Sequence, residues 1–267
     1  MVNHFLNTSK YNELHAHLTE SAKKCGIELS LKTNLELALN QVKADFVLFW
    51  DKDINLAKAI EKIGTPVFNS PDSIAKCDDK ARTYIELSGI VPQPKTLIAP
   101  KTYFKTDMTE FVDKAVEALS LPLVFKECFG SFGEQVFLCK NREEITAHIT
   151  EKPFILQEFV SESSGCDMRI EVVGGKCISA VRRKNEKDFR SNVTNGGAMT
   201  PCTPTEYEKQ LAVKACDALG LTFGGVDILN NHTVCEVNSN AHIINIMNAT
   251  GIDIAPIIFD EIKEHIK

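Results

Sequence analysis

Short apolar runs alternate with amphipathic stretches over the first hundred residues. A short apolar run bounded by turn residues is typical of a buried strand, whereas apolar residues three and four positions apart indicate a helix. This alternation predicts a small doubly wound α/β unit, in which Thr33 and Glu36 have the spacing of a helix-capping box. The predicted strands cover residues 2–5, 27–31, 46–50, 66–68 and 95–98, and the predicted helices cover residues 11–24, 34–42 and 54–63. The first strand is short for such a unit, which leaves open whether the native chain begins earlier.

The pattern changes in the middle of the chain. A predicted helix at 78–87 ends at Gly89. Residues 107–157 then have the pattern of a small α+β module, with helices at 107–119 and 142–149 and strands at 123–127, 136–138 and 154–157. Gly174 and Gly175 separate two further strands, 167–173 and 176–183, and predict a hairpin. The last predicted elements are a helix at 205–219, strands at 223–229 and 233–237, and a helix at 254–266.

The composition argues against several classes of protein. The chain has 30 lysines and arginines against 36 aspartates and glutamates, a net charge of −6, so a nucleic-acid interface built on net positive charge is not expected. No apolar run approaches the roughly 20 residues of a membrane helix, and the first residues lack the features of a signal peptide. We therefore expect a cytoplasmic protein without a membrane partner. Nine scattered cysteines, none in a C-x-x-C pair, indicate reduced thiols.

Three polar residues interrupt the last pair of predicted strands. If these strands form a hairpin with an even-numbered turn around Asn231 and His232, Asp227 faces Glu236 and Asn238 lies on the same side of the sheet. Two carboxylates and a carboxamide oxygen are hard ligands that suit Mg²⁺. The alternative interpretation is that these residues face solvent on an exposed strand pair.

Two other segments carry charge in places where an anion could bind. Lys126 stands near the end of an apolar strand and precedes a loop with Gly130 and Gly133, a combination that often holds nucleotide phosphates. The alternative is a surface lysine beside a turn. Five cations lie within residues 182–190, and this local excess in an acidic protein favours an anionic ligand. A solvated loop is the alternative interpretation of that segment.

Several blocks of the chain, in this order, resemble the ATP-grasp superfamily, and in particular its RimK-like carboxylate–amine ligases. The resemblance runs from about Lys80 to Ile266. Its most specific blocks are QEFV at 157–160, GCDMR at 165–169, DFRSN at 188–192 with Gly196 and Gly197, GVDIL at 225–229, EVN at 236–238 and TGIDI at 250–254. The resemblance favours the metal interpretation of Asp227, Glu236 and Asn238.

The resemblance implies an α/β and α+β protein with the ATP-grasp fold. Residues 1–100 would form a small Rossmann-like pre-grasp domain, residues 101–160 the small lid subdomain, and residues 161–267 the carboxyl-terminal subdomain that binds metal and substrate. The implied activity is the ADP-forming ligation of a carboxylate to an amine through an acyl phosphate, on an amino acid or a short peptide. The implied cofactors are ATP and Mg²⁺, with Mn²⁺ as a second candidate, and the relatives also imply self-association into homo-oligomers.

The family pattern also assigns roles to individual residues. By resemblance, Lys80 and Lys126 contact ATP phosphates beside Gly130 and Gly133. The resemblance places Glu158 and Phe159 in the hinge strand that holds adenine, and Asp167 at a nucleotide-contacting position after the hinge. Arg190, Ser191 and Asn192 match the segment that meets the phosphates and the acyl intermediate, while Arg169 and Arg183 are candidates for binding the substrate carboxylate. Arg182 is an alternative to Arg183.

The chain departs from the family pattern at two places. The glycine loop usually has a further glycine near Gln135, so the lid here is expected to be stiffer or differently set. Relatives that add glutamate to protein tails often continue the metal motif with a small residue, Pro and Gly, whereas this chain has Ser239-Asn240-Ala241-His242. Two alternatives to small substrates therefore stay open: ligation onto a protein tail, and a regulatory protein that binds ATP without turnover.

Overall fold

The computed structural model describes residues 1, 3, 9–40, 43–104, 106–192 and 196–266. The helices in these residues are α1 (Asn12–Lys24), α2 (Asn34–Leu39), α3 (Ile54–Lys62), α4 (Pro71–Asp78), α5 (Lys80–Leu87), α6 (Thr109–Leu119), α7 (Arg142–His148), α8 (Glu206–Leu219), α9 (Ile243–Thr250) and α10 (Ala255–His265). The strands are β1 (Val47–Leu48), β2 (Val67–Phe68), β3 (Thr96–Ile98), β4 (Leu123–Glu127), β5 (Val136–Cys139), β6 (Phe154–Glu158), β7 (Cys166–Val173), β8 (Lys176–Lys184), β9 (Ala198–Pro201), β10 (Phe223–Ile228) and β11 (Val234–Asn238). Within the same residues, no helix is both long and apolar enough to cross a bilayer.

The amino-terminal α/β unit is smaller than predicted. Its parallel sheet has two strands, β1 and β2, and α3 forms the crossover between them. The predicted strand 27–31 is wrong, because this segment is irregular in the structure, with an isolated bridge at Lys32, which bonds to Met1 and Asn3. The carbonyl of Ser30 accepts a hydrogen bond from the amino-terminal ammonium of Met1 at 2.7 Å. The predicted strand 2–5 lies mostly outside the described residues. Helix α2 does begin with the predicted capping box of Thr33 and Glu36.

The predicted helix 78–87 is α5, which begins two residues later than predicted, at Lys80, because Asp78 is the last residue of a separate helix, α4. Asp79 has an extended backbone, ends α4 and caps α5, because its carboxylate accepts hydrogen bonds from the amides of Ala81 and Arg82. Helix α4 begins at Pro71, where Ser70 provides the cap, and the sequence pattern missed this helix. The break places Lys80 at the first position of α5.

A four-stranded antiparallel sheet forms the second layer, in the order β3-β6-β4-β5. Strand β3, which was expected in the amino-terminal unit, pairs instead with β6. Helices α6 and α7 cover one face, around a core that includes Phe125, Phe154 and Leu156. Because side chains alternate along a strand, Val124 and Lys126 point to the opposite face.

The largest sheet has five antiparallel strands in the order β11-β10-β7-β8-β9, and the predicted hairpin at Gly174 and Gly175 joins β7 to β8. One face, with Met168, Ile170 and Val226, packs against α8. The other face of the sheet has an apolar half and a charged half. Its apolar half, with Val173 and Phe223, packs against α1, α9 and α10, and its other half is charged.

Strand β9 and helix α9 were also missed by the sequence pattern. Strand β9 is short and largely exposed, so its residues carry no apolar alternation. Helix α9 has buried isoleucines at 243, 244 and 246 and lacks a side-chain cap, so no capping residue marks its start in the sequence. Helix α9 nevertheless closes the apolar half of the five-stranded sheet.

Asn69 joins the amino-terminal unit to the five-stranded sheet. Its side chain is fully buried, and its amide nitrogen donates to the carbonyls of Phe223 and Ser239 at 2.8 and 2.7 Å. Its amide oxygen accepts from the backbone amides of Thr222 and Phe223 at 2.9 and 3.2 Å. The side-chain amide of Asn69 therefore provides hydrogen bonds for four backbone groups at the start of β10 and the end of β11.

We expect Asn69→Ala to lower the free energy of unfolding by about 3 kcal/mol or more, because it leaves several buried backbone groups without partners. Urea unfolding followed by circular dichroism measures the change. Asn40→Ala is the matched control: Asn40 is exposed, and its substitution should cost no more than about 0.5 kcal/mol. Equal midpoints for Asn69→Ala and Asn40→Ala would contradict the joining role of Asn69.

Candidate active site

A cleft between the four-stranded and the five-stranded sheets brings the predicted site residues together. The cleft encloses about 920 Å³, part of it open to solvent. All predicted site residues line it except Arg169 and Asn238, which lie on the same face of the five-stranded sheet but outside the lining. The predicted residues that line it are Lys80, Lys126, Gly130, Gly133, Glu158, Phe159, Asp167, Arg183, Arg190, Ser191, Asn192, Asp227 and Glu236.

Two lysines provide positive charge at the inner end of the cleft. Lys126 is 8% exposed and lies across the cleft from β11, with its Nζ 3.4 Å from Sγ of Cys235. Lys80 sits at the start of α5, where its backbone amide donates to the carbonyl of Cys128. Burial lowers the pKa of Lys80, and the carboxylate of Glu236 opposes that shift. An anion in the cleft would offset the cost of holding two ammonium groups out of water.

A chain of buried ion pairs crosses the charged half of the five-stranded sheet. Arg183 reaches both Asp167 and Asp227, with Nε 2.7 Å from Asp167 Oδ1 and Nη2 2.8 Å from Asp227 Oδ2. Arg169 holds Asp227 by two parallel bonds, each 2.7 Å long. Ser191 donates to Asp167 at 2.6 Å. Acidic and basic groups therefore alternate from Asp167 through Arg183 and Asp227 to Arg169.

The ion pairs decide the protonation of these buried groups. Burial favours the neutral form of Asp227, but Arg169 and Arg183 outweigh burial and lower its pKa below the ordinary range. Burial likewise opposes the charged form of Arg183, and Asp227 and Asp167 raise its pKa. The two aspartates and two arginines thus stay charged and neutralise one another.

The predicted pairing of Asp227 with Glu236 is confirmed, but the turn is not even-numbered. Leu229 pairs with Thr233, so the turn has three residues, and His232 has a positive φ of 59°. A bulge between the pairs 227·236 and 228·234 restores the register, with Cys235 as the extra residue. The same ladder pairs Asn238 with Gly225 and so keeps it on the face of Asp227 and Glu236.

The donor set of Asp227, Glu236 and Asn238 fits a hard cation in its chemistry. Both carboxylates line the cleft from neighbouring strands. In the described part of the chain, no cluster of three or more His, Cys, Asp or Glu side chains is arranged for a metal, and the candidate set adds only the carboxamide oxygen of Asn238 to the two carboxylates. Asn238 is partly buried, and its Nδ2 lacks a hydrogen-bond partner among the described residues. Hard oxygen donors of this kind suit Mg²⁺ or Mn²⁺.

Arg190 connects the loop after β8 to the glycine loop of the four-stranded sheet. Its guanidinium donates to both oxygens of Asp188, at 3.0 and 2.7 Å, and its Nη1 donates to the carbonyl of Gly133 at 2.6 Å. The Asp188 hydrogen bonds raise the pKa of Arg190. In the glycine loop, Gln135 lies against Gly130, where an added Cβ would collide with Oε1 of Gln135. The side chain of Gln135, at the position where relatives usually have a glycine, therefore occupies the space beside Gly130.

Aromatic side chains line the outer end of the cleft. Phe159 and Phe189 meet edge to face with ring centroids 6.3 Å apart. The side-chain carboxylate of Glu158 accepts a hydrogen bond of 2.8 Å from the backbone amide of Lys95. This bond fixes the end of β6, just before Phe159. Phe189 and Cys235 also line the cleft, although neither was predicted from the sequence. The signal for Phe189 was its position beside Arg190, whereas Cys235 enters the cleft only because of the bulge.

Comparisons with known proteins agree with this geometry. The sequence model of the RimK-like ATP-grasp domain matches residues 77–262. A Mycoplasma pneumoniae protein, named as an uncharacterized MG012 homolog, is 30% identical over 254 residues, which are 88% of this chain and 88% of that protein. Beta-citrylglutamate synthase B of Danio rerio is 36% identical over 221 residues, 79% of this chain but 53% of the synthase. The chain thus spans about half the length of that synthase.

Solved structures agree on the fold. The crystal structure of D-cycloserine synthetase DcsG superimposes with a TM-score of 0.83 at 16% sequence identity, and the match covers 100% of this chain and 98% of that one. At this identity the likeness concerns the fold alone. The ATP-grasp fold expected from the sequence is confirmed.

We expect Arg183→Lys to lower the free energy of unfolding by about 2 kcal/mol, because a lysine has one nitrogen and loses the Nε hydrogen bond to the buried Asp167. Urea unfolding without nucleotide and with a chelator measures the loss. Arg182→Lys is the matched control, since Arg182 is the next residue on β8 and bonds to the exposed Asn230. Equal stability of the two variants would contradict the proposed role of the ion-pair chain.

Proposed function

Because the chain belongs to the RimK-like ATP-grasp family, we propose that it is an ATP-dependent ligase that joins a carboxylate to an amine and forms ADP. The observation that carries this proposal is the meeting of Lys80, Lys126 and Arg190 with Asp227 and Glu236 in one cleft between two sheets. A relative that is named a synthase of citrylglutamate supports a small acid and an amino acid as the substrate class.

The charges in the cleft match the difficulty of the reaction. A carboxylate resists attack because a nucleophile would add electrons to an anion. Transfer of the γ-phosphoryl group of ATP to a carboxylate oxygen gives an acyl phosphate and ADP. An amine then attacks the acyl carbon, the C–O bond to phosphate breaks, and the amine loses a proton as the amide forms. In both steps negative charge accumulates on the phosphoryl and acyl oxygens, and positive groups in the cleft must stabilise it.

Three cations of the chain are placed for this task. Lys80 and Lys126 would bind the phosphates of ATP as point charges, since Lys126 is buried, Lys80 is half-buried and both line the cleft. The guanidinium of Arg190 presents several donors in one plane, so it would hold the transferred phosphoryl group at more than one oxygen. Ser191 and Asn192 line the same wall beside Asp167.

Asp227, Glu236 and Asn238 would hold Mg²⁺, with Mn²⁺ as a second candidate. When bound, the cation would supply Lewis-acid charge to the phosphates. Asp227 already carries two arginine partners, so its carboxylate would be shared between the cation and Arg169 or Arg183. This sharing holds Asp227 in its ionised form, as a metal ligand must be.

The lid assigned to residues 101–160 would close over ATP and keep water from the acyl phosphate. The contact of Arg190 with the carbonyl of Gly133 joins this lid to the opposite wall. The contact therefore supports a role of Arg190 in closure as well as in charge stabilisation.

The stretch 239–242 supports a small acceptor rather than a protein tail. Ser239 and Ala241 are buried, and the ring of His242 lies 5.8 Å from the ring of Tyr11 on the short turn before α1. An acceptor that entered here would meet this packed surface. The cytoplasmic location and self-association expected from the sequence stay predictions.

The experiment that tests the proposed function is a screen for ADP release. Purified protein is incubated with ATP, Mg²⁺ and pairs drawn from a panel of amino acids and small carboxylic acids, and ADP is measured by a coupled assay. We expect release that depends on both an acid and an amine, with an amide product visible by mass spectrometry. ATP binding without any acid- and amine-dependent ADP release across the panel would favour the regulatory alternative.

We expect Asp227→Asn and Glu236→Gln each to lower ADP release at least about a hundredfold, because each removes a charged ligand of the proposed cation. Circular dichroism should show that both variants stay folded. Glu110→Gln is the control, since Glu110 is 84% exposed. Near-wild-type turnover of either site variant with Mg²⁺ would show that the metal assignment is wrong.

We expect Arg190→Lys to lower kcat more than it raises KM for ATP, because the planar donors are used mainly in the transition state. Lysine also cannot bond to Asp188 and Gly133 together. Lys184→Ala and Lys187→Ala are the controls, because both lysines are exposed on the same basic segment and should change kcat little. Equal, mild losses in all three variants would indicate a diffuse electrostatic patch and refute a geometric role for Arg190.

A further inference from the structure

The glycine loop between β4 and β5 contacts both other parts of the chain. The carbonyl of Gly133 accepts a hydrogen bond from Arg190, which follows β8 of the five-stranded sheet. The carbonyl of Gly130 accepts a hydrogen bond of 3.5 Å from the ammonium of Lys52, which belongs to the amino-terminal unit. The reaction described above gives no role to Lys52. Its contact with a loop that lines the cleft points to one.

The backbone around Lys52 is fixed by its neighbours. Lys52 stands in the short connection between β1 and α3. The side chain of Asp51 accepts hydrogen bonds from the backbone amides of Lys52 and Asp53, at 2.8 and 2.9 Å, and Asp53 in turn caps α3. The connection follows the carboxyl end of β1, the end of parallel strands where α/β units place their functional loops. Lys52 therefore extends from a fixed base.

The side chain of Lys52 is held by a second contact. Its Nζ lies 2.8 Å from Oδ1 of Asp78, the last residue of α4. A carboxylate is unfavourable at the carboxyl end of a helix dipole, and this one is 14% exposed, so it needs a cation. Burial, Lys126 and Lys52 all lower the pKa of Lys80. Asp78 thus holds Lys52 close to the lysines at the inner end of the cleft.

Phe132 fixes the tip of the same loop by apolar contact. It lies between Gly130 and Gly133, is partly buried, and packs against the apolar cluster of α1, α9, α10 and half of the five-stranded sheet. Its φ of 60° is a left-handed conformation that is costly for a bulky residue. Such a conformation persists only where surrounding contacts hold it. Phe129, in the same loop, is by contrast 47% exposed.

We propose that Lys52 and Phe132 form a latch that fastens the glycine loop across the cleft. Lys52 holds the loop from the amino-terminal unit by its charge, and Phe132 anchors the tip of the loop in the apolar cluster. Both are positioning residues, because they contact the loop and its seat rather than the reacting atoms. The amino-terminal unit thereby takes part in closing the site.

The latch deepens the proposed function, on which this step rests. An acyl phosphate in an open cleft would lose its phosphate to water. The fastened loop would exclude water between the transfer of the phosphoryl group and the attack of the amine. The latch contacts are weak, a long hydrogen bond and a partly buried ring, so the loop can also open to admit substrates and release ADP.

Limited proteolysis tests the latch without ATP or turnover. Chymotrypsin cleaves after aromatic residues in segments that open locally, and the rate of cleavage follows the population of the open form. Phe129 provides a cleavage site in the glycine loop. Tyr103 and Phe104, which are 82% and 73% exposed on the loop after β3, provide reference sites in the same digest. Mass spectrometry assigns the fragments.

We expect Lys52→Met to speed cleavage after Phe129 at least about threefold relative to the reference sites, because the loop loses a charged hydrogen bond. Phe132→Ala should speed it at least about tenfold, because the loop loses its apolar anchor. A general loss of stability would speed cleavage at all sites and leave this ratio unchanged. An unchanged ratio in either variant would therefore overturn the latch.

Two exposed residues provide matched controls. Lys58→Met removes a lysine from the surface of α3, in the same unit as Lys52. Leu39→Ala removes an apolar side chain that is 78% exposed. Both controls should keep the ratio of cleavage rates within about twofold of the wild type. A rise in the controls equal to that in the latch variants would also overturn the proposal.

Kinetics separate the latch from the proposed function. Once the screen has identified an acid and an amine, both latch variants should raise the share of ADP release that needs the acid but no amine at least about threefold, because water reaches the acyl phosphate more often. An unchanged share would overturn the latch and leave the ligase proposal intact. Faster cleavage in the variants, with no ADP release in the screen, would refute the ligase proposal and leave the latch intact.

Discussion

The pairing of buried charges on one face of the five-stranded sheet is the constraint on which the rest of the structure depends. Asp227 is 3% exposed and could not stay ionised there without Arg169 and Arg183. Both arginines come from the hairpin β7–β8, so the face exists only when three strands are in register. A shift by one residue would turn every one of these charges into the apolar core under α8.

Other features of the fold serve that register. The bulge at Cys235 corrects a three-residue turn so that Glu236 faces Asp227, and it also brings Cys235 to Lys126 across the cleft. Asn69 bonds to the backbone of Phe223, the first residue of β10, and so fixes the amino-terminal unit against the sheet. As a result Trp50, at the end of β1, stacks on Phe223 and closes the apolar half of the same face.

The sequence predicted the elements whose signals are local. Local signals predicted α2 from the capping box at Thr33, the β7–β8 hairpin from Gly174, and the later strands from their alternation. The order of the motifs along the chain predicted the family. Long-range partners were not predictable. No local signal shows that β3 pairs with β6, or that Arg169 is bound to Asp227 rather than free for a substrate.

Charge balance links the parts of the proposed site. The charges of Asp167 and Asp227 cancel those of Arg169 and Arg183. The two arginines therefore attract an anion only through guanidinium N–H groups that the aspartates do not already use. A divalent cation bound by Asp227 and Glu236 would add positive charge to this group, and the arginines would then carry an excess that only phosphates or a carboxylate could offset. Metal, ATP and acid would thus favour one another's binding.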